Sequence, residues 1–373
     1  MSKIGIMGGT FDPIHFGHLK IASCAKSEYH LDKVIFLTSG NPPHKRDKEI
    51  LDAKIRHIMV KRAIAGIDGF EASDYEVNRK EYSYSVNTLK HFHEIMPDSE
   101  IFFIIGGDSL RDFHKWYQPE EILKLCTLLV YDRDGGEHLS DFSKPIHGGK
   151  IDISSTEIRE KLEKGEDVSA FMPPAVLEFI KRNNIYRKKA DAKEHLKTLL
   201  TPDRFAHSLG VMETAVELAK IYGADIEKAK VAGLLHDNAK NLDNMYERAR
   251  DLEAELDEFE MKSPPLVHAK LGAETAKIEF GITDPEILDA IKWHTIGRPN
   301  MTLLEKIIFV ADLTEPGRDF PDAEPLRELS KRDLDKAVAE CIKSTIDVNK
   351  RRGNTIHPNA FLILEELGES YKK

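Results

Sequence analysis

Residues 4–19, IGIMGGTFDPIHFGHL, decide how the N-terminal half should fold. A short apolar run stops at Gly8-Gly9, and His15 and His18 follow three positions apart beside Gly17. The run from Ile4 to Met7 suits a buried strand, while Leu19, Ile21 and Ala22 begin a helical pattern. The glycines and both histidines therefore fall in a strand-to-helix turn. Backbone N–H groups at such a helix start can meet a phosphate.

Working outward, short apolar runs alternate with amphipathic helices up to about residue 186. Strands are expected at KIGIMGG, KVIFLTS, FEASDYEV, EIFFIIGGD, TLLVYDR and KIDI (150–153). Helical patterns lie near 16–29, 52–66, 84–95, 119–125, 155–164 and 174–183. This alternation predicts an α/β doubly wound, Rossmann-like domain over 1–186. Open sheets of that kind bind ligands beyond the carboxyl ends of their strands, where Gly8-Gly9 and Gly106-Gly107 both fall. Residues 187–193, within RKKADAK, are charged, hold no core residue and form the expected linker. From 194 to 373 the apolar spacing is helical throughout, so the second domain should be all-α.

Composition narrows the classes. The formal net charge of −10 argues against a broad nucleic-acid footprint, though a local basic cluster can still hold a small anion. Three scattered cysteines fit a reducing cytosol. No stretch approaches the ~18 apolar residues of a membrane span. A cytosolic protein without nucleic-acid or membrane partners is expected, and a homo-oligomer is left open.

In the first domain, two imidazoles and several N–H groups could steady the charge that builds during nucleotidyl transfer. NPPHK (41–45) adds Lys45, and ISSTEIR (153–159) adds hydroxyls at a helix start with Arg159 one turn in. GGTFDPIHFGH carries the HxGH motif of the nucleotidylyltransferase superfamily. With PPHK, YSYSVNTL, IIGGDSL, KWYQPEEIL and ISSTEIR in order, the segment 1–186 resembles bacterial nicotinate-nucleotide adenylyltransferase. The resemblance implies transfer of AMP from ATP to nicotinate mononucleotide with Mg²⁺ on the phosphates, giving deamido-NAD and pyrophosphate. It implies catalytic roles for His15, His18, Lys45 and Arg159. It places ATP on Gly8, Gly9, Thr10, Phe11, His18, Gly106, Asp108, Ser154, Ser155 and Arg159. The nicotinate nucleotide would meet Asn41, Lys45, Ser85, Trp116 and Tyr117, with Ser85 standing where the family usually has threonine.

The all-α segment sets His236 and Asp237 side by side among leucines, which is costly unless something pairs them. His207, His268, His294 and Asp312 also sit among apolar neighbours. Four imidazoles and two carboxylates exceed one tetrahedral site and suit two divalent ions bridged by Asp237. His195 and His357 lack that setting and are kept out of the set. The pattern H…HD…H…H…D resembles the HD phosphohydrolase superfamily, and over 194–357 the bacterial symmetrical diadenosine tetraphosphatases. That resemblance implies a two-iron centre activating water against diadenosine tetraphosphate to give two ADP, with Asp237 and Lys240 catalytic. Arg318 would neutralise phosphate charge, and Thr295 and Gly297 would approach the substrate. Two alternatives stand beside it: hydrolysis of another nucleotide phosphate ester, or a nucleotide-binding module that regulates the first domain.

Overall fold

The computed structural model describes residues 1–41, 50–79, 82–131, 141–149, 152–187 and 191–371. The chain divides into two compact units, Met1–Lys188 and Lys189–Lys373. Among the described residues no helix is long and apolar enough to cross a membrane.

In the first unit, strands β1 (Ser2–Gly9), β2 (Lys33–Thr38), β3 (Phe70–Ser73), β4 (Ser99–Gly106), β5 (Thr127–Tyr131) and β6 (Ser143–Pro145) pair in the order β3-β2-β1-β4-β5-β6. Every pairing is parallel. The helices are α1 (Phe16–Glu28), α2 (Ala53–Ile64), α3 (Ser85–Ile95), α4 (Gly107–Arg111), α5 (Pro119–Leu125), α6 (Ser155–Glu163) and α7 (Pro174–Arg182). The strands β1, β2, β4 and β5 read as near-continuous apolar runs because parallel sheets are buried on both faces. The chain order reverses between β1 and β4, so a crevice opens beyond their carboxyl ends. The last strand differs from expectation. It is Ser143–Pro145 rather than KIDI; Lys150 and Ile151 lie outside the described residues, and Asp152 and Ile153 belong to no strand. Ser143–Pro145 is three residues long and not an apolar run, so periodicity could not reveal it.

The second unit is helical: α8 (Ala192–Leu199), α9 (Pro202–Tyr222), α10 (Ile226–Leu235), α11 (Met245–Asp251), α12 (Glu258–Lys262), α13 (Pro264–Glu279), α14 (Pro285–Trp293), α15 (Leu303–Thr314), α16 (Ala323–Ser330), α17 (Leu334–Arg351) and α18 (Asn359–Glu366). Helix starts follow local chemistry. Thr201, Asp225, Asp284, Thr302 and Asp333 each accept a first-turn N–H, and Pro202 and Pro285 occupy first helical positions. Val211, Ala215, Ala232, Leu235, Ala276, Ile291, Ile307 and Val310 form part of one core.

Helices α9 and α10 approach closely at Gly233. A Cβ there would stand 2.9 Å from the Met212 Cα, a backbone atom that cannot rotate away. That approach brings His207 on α9 toward His236 at the end of α10. Gly233→Ala should therefore destabilise the helical unit by about 1–3 kcal/mol, the usual cost of overpacking. Thermal denaturation checks this, and an unchanged transition would contradict the approach.

Candidate active sites

The first site is a cleft of about 710 Å³ at the switch point of the sheet. Gly8, Gly9, Thr10, His18, Ser85, Gly106, Asp108, Trp116 and Tyr117 all line it. A Cβ on Gly106 would meet no protein atom within 4 Å, so space in the cleft, not packing, is what glycine preserves there. The His15 and His18 rings lie 3.8 Å apart, and the His15 backbone N–H donates to His18 Nδ1 at 3.3 Å. With Nδ1 accepting, the His18 proton resides on Nε2 as a donor. His15 is buried and Phe11 packs edge-on against His18 at 5.1 Å; both support His18 rather than line the cleft.

Two of the remaining candidates hold the loop. Ser155 Oγ donates to the Pro13 carbonyl at 3.0 Å, and Arg159 donates to the Asp12 carbonyl at 2.7 Å. Ser154 caps α6 by accepting from the Glu157 N–H. Asn41 accepts from the Ser83 N–H through its carbonyl, at the exposed end of the β2 loop. Lys45 lies outside the described residues. Trp116 has a double role, packing against Phe113 at 5.4 Å while it faces the cleft, whereas Tyr117 is half exposed beside Tyr84.

Four further residues brace this cleft. The buried Arg56 guanidinium donates to the carbonyls of Leu51, Thr10, Ser39 and Gly40, tying the β1 and β2 loops together. Burial lowers its pKa, a pull that Asp12, Tyr186 and Asp52 oppose. Asp12 is buried, not a plain turn residue, and accepts from the Tyr186 hydroxyl at 2.6 Å. Burial and the adjacent Asp12 carboxylate push the Tyr186 phenol well up. Glu76 is buried on the cleft wall and accepts from Thr88 Oγ1 at 2.6 Å; its carboxyl is raised by burial.

The second site gathers six side chains from five elements. His207 Nε2 lies 3.3 Å from His236 Nε2 and 3.0 Å from Asp312 Oδ1. Asp237 turns Oδ2 toward His236 at 3.5 Å and Oδ1 toward His268 and His294, at 3.0 and 3.5 Å. Outer partners set the tautomers. His236 Nδ1 and His294 Nδ1 donate to the carbonyls of Gly233 and Ile291, each at 2.8 Å, and His207 Nδ1 donates to Glu315 at 3.0 Å. The three Nε2 atoms are therefore left as lone pairs, and they converge with two carboxylates. Acceptors facing acceptors at these distances repel unless a cation lies among them, so the donor set fits metal. Among the described residues, ligand atoms lie within 4.8 Å of one another in the group His207–His236–Asp312 and again in His236–Asp237–His294.

Burial would raise the carboxyls of Asp237 and Asp312, but neighbouring groups overcome it. The Arg318 guanidinium is such a neighbour for Asp312, and both carboxyls are held well below the usual range. Burial pushes His268 down to about 4, so its ring is neutral near pH 7. Lys240 Nζ sits 3.2 Å from His268 Nε2 and 3.8 Å from Asp237, with its pKa lowered by burial. Arg318 donates to Asp312 Oδ1 at 2.5 Å, and Arg204 to Asp237 Oδ2 at 2.9 Å. His195 and His357 stay apart, bonded to Glu279 and Asp257.

Comparison with known proteins meets this geometry. Residues 6–161 match the cytidylyltransferase-like family model. The probable nicotinate-nucleotide adenylyltransferases of Clostridium botulinum (strain Eklund 17B / Type B) and Clostridium tetani are 41% and 44% identical to the chain. Each is matched over its full length, covering 51% and 50% of this chain.

The chain belongs to the nicotinate-nucleotide adenylyltransferase family.

Residues 204–317 match the HD domain. A crystal structure of a predicted HD superfamily hydrolase involved in NAD metabolism, from Clostridium acetobutylicum, is 40% identical over 98% of that chain and 48% of this one, with a TM-score of 0.46. The chain thus joins an adenylyltransferase-family domain to an HD domain. Sequence reasoning missed Arg204 and Glu315 in the HD domain, although each lies three residues from a clustered ligand on the chain: Arg204 before His207, Glu315 after Asp312. Helical spacing of three puts such pairs on one face, and that signal was available. Glu315→Ala should weaken Mn²⁺ binding by ~10–100-fold, the usual loss when an outer partner of a metal-bound histidine is removed. Calorimetric titration of the full chain measures it, and unchanged affinity would deny Glu315 that role.

Proposed function

We propose that residues 1–186 catalyse ATP + nicotinate mononucleotide → deamido-NAD + pyrophosphate, that 187–193 serve as linker, and that 194–373 form a metal-dependent hydrolase cleaving diadenosine tetraphosphate to two ADP. Both activities would operate in the cytosol. The first reading is supported above all by His18 Nε2, a donor held at the mouth of β1 in a cleft sized for two nucleotides. A phosphate oxygen of nicotinate mononucleotide attacks the α-phosphorus of ATP, a new P–O bond forms, and the α–β anhydride breaks as pyrophosphate leaves. His15 fixes the His18 ring, and His18 donates to the oxygens on which charge builds. Gly8, Gly9, Thr10 and Phe11 shape the phosphate loop, with Gly106 and Asp108 across the crevice at the adenosine. Ser155 and Arg159 anchor α6 to that loop while Ser154 caps the helix, and Arg159 would reach a phosphate. Trp116 and Tyr117 would stack on the pyridine ring while Asn41, Lys45 and Ser85 supply polar contacts. Mg²⁺, when bound, shares the charge of the phosphates.

The second reading rests on the converging acceptors of the HD domain. His207, His236, Asp237, His268, His294 and Asp312 would hold two divalent ions, and imidazole with carboxylate suits iron. Such ions acidify water and neutralise phosphate charge. Arg204, Lys240 and Arg318 surround the cluster and can bind the oxygens of a substrate phosphate. This ligand set also fits other nucleotide phosphate esters, or a nucleotide-binding regulator of the first domain.

Paired variants separate the activities. His18→Ala should lower deamido-NAD formation by ~10²–10³-fold and leave metal-dependent hydrolysis intact. Asp237→Ala should abolish release of ADP from diadenosine tetraphosphate and leave adenylyl transfer intact. Loss of both activities in either folded variant would contradict two separate centres, and ATP plus AMP as products would move the attacked phosphorus.

A further inference from the structure

Glu76 is a buried carboxylate in the turn after β3, outside any helix or strand, and it lines the cleft of the first unit. A charge in such a place is costly unless donors surround it. Three do. Thr88 Oγ1, on the buried face of α3, donates to it at 2.6 Å, and the Ser83 hydroxyl and the Gly40 N–H donate to it as well. An ionised carboxylate only accepts, so three donors on two oxygens suit that form. The turn and the β2 loop also meet backbone to backbone, since a Cβ on Gly40 would collide with the Glu76 carbonyl oxygen.

The three donors come from the two segments that carry candidate ligands for the nicotinate nucleotide. Gly40 directly precedes Asn41, while Ser83 and Thr88 flank Ser85 on the chain. The segments also bond to each other: the Ser83 N–H donates to the Asn41 carbonyl at 3.1 Å, and the Asn41 N–H donates to Ser83 Oγ at 3.4 Å. The Ser83 hydroxyl thus accepts from Asn41 while passing its own proton to Glu76. Tyr84, which starts α3, packs against Tyr117 at 4.9 Å and carries the same placement to the aromatic side of the cleft. The phosphate loop has separate braces, because Arg56, Arg159 and Ser155 hold the carbonyls of Thr10, Asp12 and Pro13. Loss of the Glu76 bonds should therefore reach the Asn41 and Ser85 side first.

We propose that Glu76 is a positioning residue for the acceptor nucleotide, holding the Asn41 loop and the start of α3 at the separation that nicotinate mononucleotide requires. The inference rests on the reading of residues 1–186 as an adenylyltransferase for that nucleotide. Steady-state kinetics of the full chain test it, each substrate being varied at a saturating level of the other. Glu76→Gln keeps the shape but turns an NH2 group toward donors. It should raise KM for nicotinate mononucleotide about tenfold, the size expected when a buried donor loses its acceptor, and move KM for ATP by less than about twofold. Thr88→Val removes one donor with little change of volume and should shift the same KM in the same direction, whereas Thr88→Ser keeps the hydroxyl and should restore it. A parallel rise in both KM values, or no rise in the folded variants, would overturn the positioning role. If Glu76→Gln does not fold, the Thr88 pair decides. An unsubstituted chain that makes no deamido-NAD would overturn the underlying reading, and the inference with it.

Discussion

The helical unit is organised around a set of lone pairs that cannot be left facing one another. His236 and His294 spend their Nδ1 protons on backbone carbonyls, His207 spends its own on Glu315, and all three point bare Nε2 atoms toward two carboxylates. Asp237 divides its oxygens between the two sides of the cluster, so one carboxylate serves both. Several helices must end or cross at one place for this to happen. Close approach of α9 to α10 at Gly233 is one visible consequence. The cluster is thus costly to the protein alone and favourable with cations, which ties the stability of the fold to its chemistry.

The N-terminal unit solves a different problem with the opposite charge. Its proposed ligands are anions, and among the described residues the cleft wall offers them mainly glycines and His18. The strands end in glycines, the helix start presents His18, and the guanidinium of Arg56 is spent entirely on loop carbonyls. Asp12 then lies between Tyr186 and Arg159, within the loop proposed to face the phosphates. Rigid loops lower the cost of holding a flexible triphosphate in one geometry.

Much of this was legible in sequence because the relevant groups are close in the chain or sit on a period. Gly8-Gly9 with His15 and His18 declares a strand-to-helix turn by itself. His236-Asp237 among leucines declares a buried demand for charge. What stayed hidden depends on contacts across long separations. Arg56 reaches Thr10 over 46 residues and Tyr186 reaches Asp12 over 174, and nothing local in either sequence neighbourhood marks them. β6 was missed because Ser143–Pro145 is too short and too polar to show a period. His357 was set apart from the candidate metal ligands, and its place on a cavity wall follows only from the packing of α12 and the loop before α18.

The central claim is that six side chains form a cradle for two ions, bridged by Asp237. The direct test is metal stoichiometry by inductively coupled plasma mass spectrometry after anaerobic loading with Fe²⁺ and removal of loosely held metal. Two irons per chain in the natural sequence, falling to one or none when Asp237 is replaced by alanine, is the predicted result. A single iron unaffected by that replacement would contradict it.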